Sequence, residues 1–167
     1  MLKKPDIAPG VYRAEGVRVV GDVHIAADCS LWYNAVVRGD LRTITVGPRT
    51  NIQDCCVLHT DARHCLTVGE GCTIGHGTVL HGCQVGDNTL IGMGSTVLSG
   101  AVIGRDCIVG AGSLVTGKLV APAGSLVLGN PAKVIRPLTE AEIESNRFSC
   151  RQYMGLAAEA KESEKEG

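Results

Sequence analysis

Three histidines, His59, His76 and His81, supply the side chains best suited to chemistry in this chain. Neutral imidazoles bind zinc at about 2.0–2.1 Å in a tetrahedral arrangement, and three protein ligands leave a fourth place for water. A metal held that way lowers the pKa of its water to roughly 7, giving a nucleophile at neutral pH. A structural zinc closes its fourth position, so an open three-histidine set points to catalysis. Imidazoles accept zinc, iron(II) and cobalt(II) alike, and the residue types do not choose among them. Of the other two histidines, His24 reads as a solvated or hydrogen-bonded side chain. His64 is either inert or a proton relay.

Whether the three can meet depends on where each points, and a repeat dictates that. Aliphatic residues recur at Val46, Ile52 and Leu58, then at Val68, Ile74 and Leu80, then every six residues from Val85 to Val115. Many are followed at once by glycine, as in Val46-Gly47, Ile74-Gly75 and Ile91-Gly92. A period of six is neither helical nor simple strand alternation; it is the hexapeptide repeat of a β-helix, three repeats to a coil. His59 and His81 each follow the last aliphatic residue of adjacent triplets, so they stack on one face, one rung of about 4.8 Å apart. His76 comes two places after Ile74, on a different face. One rigid prism does not aim all three at one ion, whereas a neighbouring copy could supply the third. The pattern therefore predicts a metal site shared between subunits.

Arg38 heads the row of His59 and His81, while Tyr33, Asp54 and His76 form a second row, with Gln53 one place before Asp54. Two prisms with these rows opposed would gather three imidazoles beside a glutamine, an arginine and an aspartate. An Arg38–Asp54 pair across such a seam would fix geometry more than it adds stability.

The elements that must hold these rows follow from composition and spacing. The 167 residues suit one domain, and 44% hydrophobic content is enough for a core. Only five residues are aromatic, as a narrow prism filled by methyl-bearing side chains requires. A net charge of −1 without a basic run argues against nucleic acid or an anionic membrane as partner. No apolar stretch approaches ~20 residues, so no membrane span is expected. Met1-Leu2-Lys3-Lys4-Pro5 has no apolar run after it, hence no secretory signal, and eight cysteines then point to a reducing, cytoplasmic setting. Cys29, Cys56, Cys72, Cys83 and Cys107 each lie two residues before an aliphatic position, a slot otherwise filled by Ala, Ser or Thr. They read as small hydrophobes at inward corners. Cys55, Cys65 and Cys150 fall outside that slot, and the chain has no C-x-x-C pair.

The expected organisation is a β-helix domain over 1–137, with residues 1–16 irregular and repeats from about 17. A C-terminal helix over 138–160 and a frayed charged tail over 161–167 follow. Three extra residues bulge near Arg38-Gly39-Asp40 and four project between Thr60 and Leu66. The five-residue step from Leu80 to Val85 leaves the register open there, and the repeats loosen through Val120 and Leu126. Thr139-Glu140-Ala141-Glu142 is a capping box that starts the helix. Glycine spacings such as Gly92-x-Gly94 belong to the repeat and indicate no nucleotide loop.

Val36-Val37-Arg38-Gly39-Asp40, Asn51-Ile52-Gln53-Asp54, the His59…His76-x4-His81 spacing and Gly129-Asn130-Pro131-Ala132-Lys133 together resemble the γ-class carbonic anhydrase-like family over about residues 10–136. The last motif is shared with hexapeptide acyltransferases; the histidine spacing with Arg-Gly-Asp and Gln-Asp is specific. The resemblance implies an all-β solenoid, a left-handed parallel β-helix with a C-terminal α-helix. It further implies a homotrimer with three metals at the seams, His59 and His81 from one subunit and His76 from the next. It implies that Gln53 hydrogen-bonds metal-bound solvent, that Asn51 orients Gln53, and that Arg38, Asp40 and Asp54 keep the seam intact. Tyr153 corresponds to a C-terminal tyrosine near the metal. The best-established anhydrases of this class carry a proton-shuttling glutamate in an acidic loop. Thr60-Asp61-Ala62-Arg63-His64 contains none, and hydration of CO2 must export a proton each turnover. The shorter-loop branch includes weak anhydrases and some proteins that resemble acyl-CoA thioesterases.

The expected activity is therefore zinc-dependent hydration of CO2 to bicarbonate, with His64 or buffer taking the proton. The rivals are thioester hydrolysis at the same metal, metal-free acyl transfer with one histidine as base, and a non-catalytic trimeric scaffold.

Overall fold

In a computed structural model, which describes residues 2–166 (side chains as far as Glu164), the repeat closes into stacked coils. The chain is a left-handed parallel β-helix of about seven turns followed by one helix, Glu140–Glu166. Short parallel strands pair with the coils above and below in an eleven-stranded and an eight-stranded sheet. Three columns of aliphatic side chains result. Ile25, Val46, Val68, Val85, Ile103 and Ala121 are in register. So are Leu31, Ile52, Ile74, Ile91, Val109 and Val127, and Val37, Leu58, Leu80, Val97 and Val115. All are buried and form one continuous core.

The corner residue three places after an aliphatic adopts a left-handed conformation along the first two columns, except after Val127: Asn34, Cys55, Gly77, Gly94 and Gly112 at one corner, Asp28, Arg49, Gly71, Asn88, Asp106 and Gly124 at the other. Glycine meets that demand without strain, and Asn and Asp tolerate it. Cys55, unassigned from its spacing, is such a corner residue with φ 58°. The five cysteines of the inward slot are all buried free thiols. Burial pushes Cys72 and Cys83 up to about 12, so they behave as core atoms.

Several boundaries differ from those expected. The segment expected to be irregular carries regular strands from Asp6 onward. Asp6–Ile7 pairs with the strand Arg18–Ile25, and Tyr12–Arg13 pairs with Ser30–Leu31. Ile7, Arg13 and Val19 make a first coil at six-residue spacing, hidden because exposed Arg13 stands where an aliphatic residue is expected. That position lies at the open end of the prism, where solvent can take a charge. The extra residues of the first insertion lie within 40–43, between Gly39, paired with Gly21, and Ile44, paired with Val23. Arg38 and Gly39 themselves remain in the long strand Val36–Val46. In the second insertion Thr60 and Leu66 are both buried, and only residues 61–65 project. The short step after Leu80 keeps register, with His81 paired to His59 and Val85 to Val68. The repeat does not loosen after Val115. Ala121 and Val127 continue it at six-residue steps, while Val120 faces outward.

A hairpin, Ser125–Gly129 with Ala132–Pro137, ends the stack, and Asn130-Pro131 is its turn. The capping box starts the helix as its residues require: Glu142 N–H donates to Thr139 Oγ1 (3.3 Å) and Thr139 N–H donates to Glu142 Oε2 (2.8 Å). The helix passes residue 160 and continues to Glu166. Contacts with the first coils tie down the segment expected to fray. The Lys161 ammonium donates to the Gly10 carbonyl, and the Tyr12 hydroxyl donates to Glu164 at 3.0 Å. Gly167 lies outside the described residues. The helix covers the outer face of the middle column, burying Ser30, Asn51 and Thr73, and Asn146 anchors it by donating to the carbonyls of Asn88 and Cys107. Among the described residues, no helix is long and apolar enough to cross a membrane.

Candidate metal centre

Arg38, His59 and His81 form the vertical row their spacing implies, Cα paired to Cα in three parallel strands. Each side chain points outward because it follows an inward aliphatic residue. His59 Nδ1 and His81 Nε2 face each other at 3.1 Å. Two nitrogens on a tetrahedral zinc at 2.0–2.1 Å would be separated by roughly 3.3 Å, so the pair already has nearly the span of two ligands.

The outer nitrogens of this pair are also partnered. His59 Nε2 lies 2.9 Å from Asp40 Oδ1, and Arg38 pairs with the same carboxylate through Oδ2. The His59 hydrogen bond, and then that of Arg38, hold the Asp40 carboxyl below its usual range. An ionised carboxylate only accepts, so His59 donates to it from Nε2. His81 Nδ1 lies 2.8 Å from the Ser99 hydroxyl.

His76 stands on another face, exposed at a corner, with Nδ1 2.6 Å from Asp54 Oδ2. Gln53 lies beside it, almost fully buried and fixed at both ends. Its Oε1 accepts from the His76 N–H (3.2 Å), and its Nε2 donates to Asn51 Oδ1 (3.1 Å). Asn51 in turn donates to Thr73 Oγ1 (3.0 Å) and to the Cys72 carbonyl (3.2 Å). Tyr153 reaches this side from the helix, its ring 5.6 Å from Trp32, and burial raises its pKa, with the Asp54 charge next. Gln53, His76 and Tyr153 line a groove of about 430 Å³ whose other walls include Leu90, Met93 and Ile108.

Two groups therefore lie on two faces. The first holds His59, His81, Arg38 and Asp40, and the second His76, Gln53, Asn51, Asp54 and Tyr153. Among the described residues of one chain, no three metal-ligating side chains converge. Within the chain Arg38 pairs with Asp40 and Asp54 with His76.

His64 belongs to neither face group. It sits in the projecting loop, 2.9 Å from Asp61 Oδ2, with part of its side chain open to solvent. The loop is built on Asp61, whose Oδ1 accepts from the amides of Arg63 (2.7 Å) and His64 (2.8 Å). The Ser99 hydroxyl hydrogen bond is the foremost of the interactions that hold the Asp61 carboxyl far below its usual range. Ser99 and Thr73 escaped the sequence reading, since neither residue type stands out. Only the stacking order, which sets Ser99 one coil beyond His81, could have flagged the first.

Residues 82–117 match the family described as bacterial transferase hexapeptide (six repeats). A "Probable carbonic anhydrase" from Methanocaldococcus jannaschii is 48% identical over 90% of this chain and 95% of its own. "Gamma carbonic anhydrase 1, mitochondrial" from Arabidopsis thaliana is 42% identical over 93% of this chain, which spans 58% of that longer protein. Among solved structures, a hexapeptide transferase family protein from Anaplasma phagocytophilum superposes with a TM-score of 0.88 at 40% identity, covering 92% of this chain and 91% of its own.

Proposed function

The chain belongs to the γ-class carbonic anhydrase-like family, and from that premise we propose that it hydrates CO2 at a metal held between subunits of a homotrimer. The observation that carries this reading is the His59–His81 pair, two imidazole nitrogens 3.1 Å apart on a half-buried outer face of the prism. Their donor chemistry fits zinc, with iron(II) or cobalt(II) as alternatives. His76, set at a corner of the prism, is the third ligand from the neighbouring copy. Outward Val57 and Leu98, both more than a third exposed beside the histidine row, support a second prism packing there. A zinc ion in such a site lowers the pKa of water to about 7 and so supplies a nucleophile at neutral pH.

The chain's own residues do the rest. The reaction adds water to CO2, forms one C–O bond, and yields bicarbonate and a proton. Gln53 spends one amide hydrogen on Asn51 and its carbonyl on the His76 amide, leaving its second hydrogen to orient the reacting oxygen. Asp54 fixes the His76 ring and Asp40 fixes the His59 ring, so that neither pays to be ordered when the ion arrives. Arg38 holds the second Asp40 oxygen. The proton leaves to buffer or through His64, which is open to solvent.

A second reading keeps the site and changes the substrate. The mostly apolar groove of about 430 Å³ lined in part by Gln53 and His76 is larger than CO2 needs and suits an acyl or pantetheine chain, which favours thioester hydrolysis. Metal-free acyl transfer, the activity suggested by the transferase names of structural relatives, gives no role to the paired histidines. Stopped-flow CO2 hydration on zinc-loaded protein, with His81→Ala alongside, tests the first reading. Activity lost in the variant is expected. An inactive wild type carrying one metal per subunit would sink it and bring acyl-CoA substrates forward.

A further inference from the structure

The prism has no room for rings in its interior, and all three tyrosines gather outside it around the single tryptophan. The Trp32 ring centroid lies 5.3 Å from that of Tyr12, 6.5 Å from Tyr33 and 5.6 Å from Tyr153. Tyr12 seals the helix to the first coils, packed with Ala14 and Ala157, and Trp32 backs that small second core. Tyr33 takes no part in it, and its side chain is 46% exposed. Trp32, Tyr33 and Tyr153 instead line a hollow of about 520 Å³, shared with His76. Its carboxylates are Asp54 and Glu159, and no lysine or arginine lines it among the described residues.

We infer that this hollow binds an alkylated ammonium group, held by the three rings with the two carboxylates beside it. Aromatic faces are electron-rich and attract a cation placed within about 6 Å of the ring centroid. A small metal ion would need several converging oxygens in place of its water, which ring walls do not supply. An alkylated ammonium is large and weakly hydrated, so apolar ring faces suit its methyl groups and its charge together. The ring planes also discriminate. Trp32 lies at 55° to Tyr33 and 79° to Tyr153, so one ligand meets rings in different planes. That suits a rounded cation and not a flat aromatic ligand, which would need parallel walls. The tryptophan is set in advance: its Nε1 donates to Ser30 Oγ at 3.1 Å, and Tyr12 packs against it. Little ordering is therefore left to be done on binding. Binding there requires no metal, and it holds whether or not the proposed centre is filled.

Trp32 is the chain's only tryptophan, so its fluorescence reports on the hollow directly. The probe is choline chloride, titrated into the full chain at constant ionic strength. The control is its uncharged analogue, in which a quaternary carbon replaces the nitrogen. Choline is expected to give a saturable change, with the analogue binding about 5–30-fold more weakly, the worth of one or two cation–π contacts. Tyr33→Leu keeps an apolar side chain but removes a ring face, and should weaken choline by a similar factor. Glu159→Gln should weaken it about 2–5-fold, with the difference fading at high salt. Both side chains are exposed, so melting temperatures should stay near wild type. Equal binding of the uncharged analogue would overturn the inference, since the hollow would then take any apolar group. Unchanged choline affinity in Tyr33→Leu would also overturn it, by placing the cation elsewhere. No saturable change, as when a neighbouring copy fills the hollow, would do the same.

Discussion

His59 and His81 occupy the same register position in adjacent parallel strands, and their facing nitrogens lie 3.1 Å apart. A helix would need i, i+4 spacing to do this; here 22 residues of chain make one full coil and return the second imidazole directly over the first. The insertion at residues 61–65 leaves the pairing untouched because the extra residues project from a corner. His76 lies in the same coil as His81, yet Asp54 holds it on a different face. The two halves of the proposed site are each ordered by their own carboxylate.

That division predicts complementation between damaged chains. His76→Ala and His81→Ala should each abolish metal-dependent activity alone. Refolded together from denaturant at equal ratio, they should regain about a quarter of wild-type activity, because in a cyclic trimer about one seam in four joins two intact halves. Zinc content after mixing should rise in parallel. Activity that never exceeds that of either parent would show that each subunit holds its own site.

Gly82 has φ +52°, and an added Cβ would press on Ser99 and His64. Gly82→Ala should cost about 1–3 kcal/mol in stability through the left-handed backbone. By pushing Ser99 from His81 it should weaken zinc as well. Urea unfolding of the metal-free form and chelator competition separate the two effects; wild-type values in both would contradict the close packing found here.

The helix cap should be acid-sensitive. Arg136 pairs with both Glu142 oxygens (2.9 and 2.6 Å), and with the Thr139 amide it lowers Glu142 from 4.5 to about 2. A carboxyl depressed on folding stabilises fully above pH 4.5, and its contribution disappears as pH falls through about 2. Glu142→Gln should lower the melting temperature at pH 7, and the gap from wild type should close between those limits. A gap independent of pH would mean that the charge plays no part in the cap.

The sequence by itself determined the prism and half of the site. In a β-helix the six-residue period maps each position to one face, so the core columns, the small-residue corner slot and the row Arg38–His59–His81 follow from counting alone. The capping box likewise is local, made by residues three apart, and it forms where the spacing puts it. Counting failed at the ends: Arg13 broke the aliphatic pattern, because the last rung of a prism faces solvent and tolerates charge. The helix passed residue 160 because Lys161 and Glu164 reach Gly10 and Tyr12, contacts with no signature in the helix sequence. Only the tertiary structure decided that His64 and Ser99, 35 residues apart in the sequence, would close together over Gly82 beside His81. Which way a projecting loop folds is set by the space over the coils it covers, and at Gly82 that space exists for want of a single side chain.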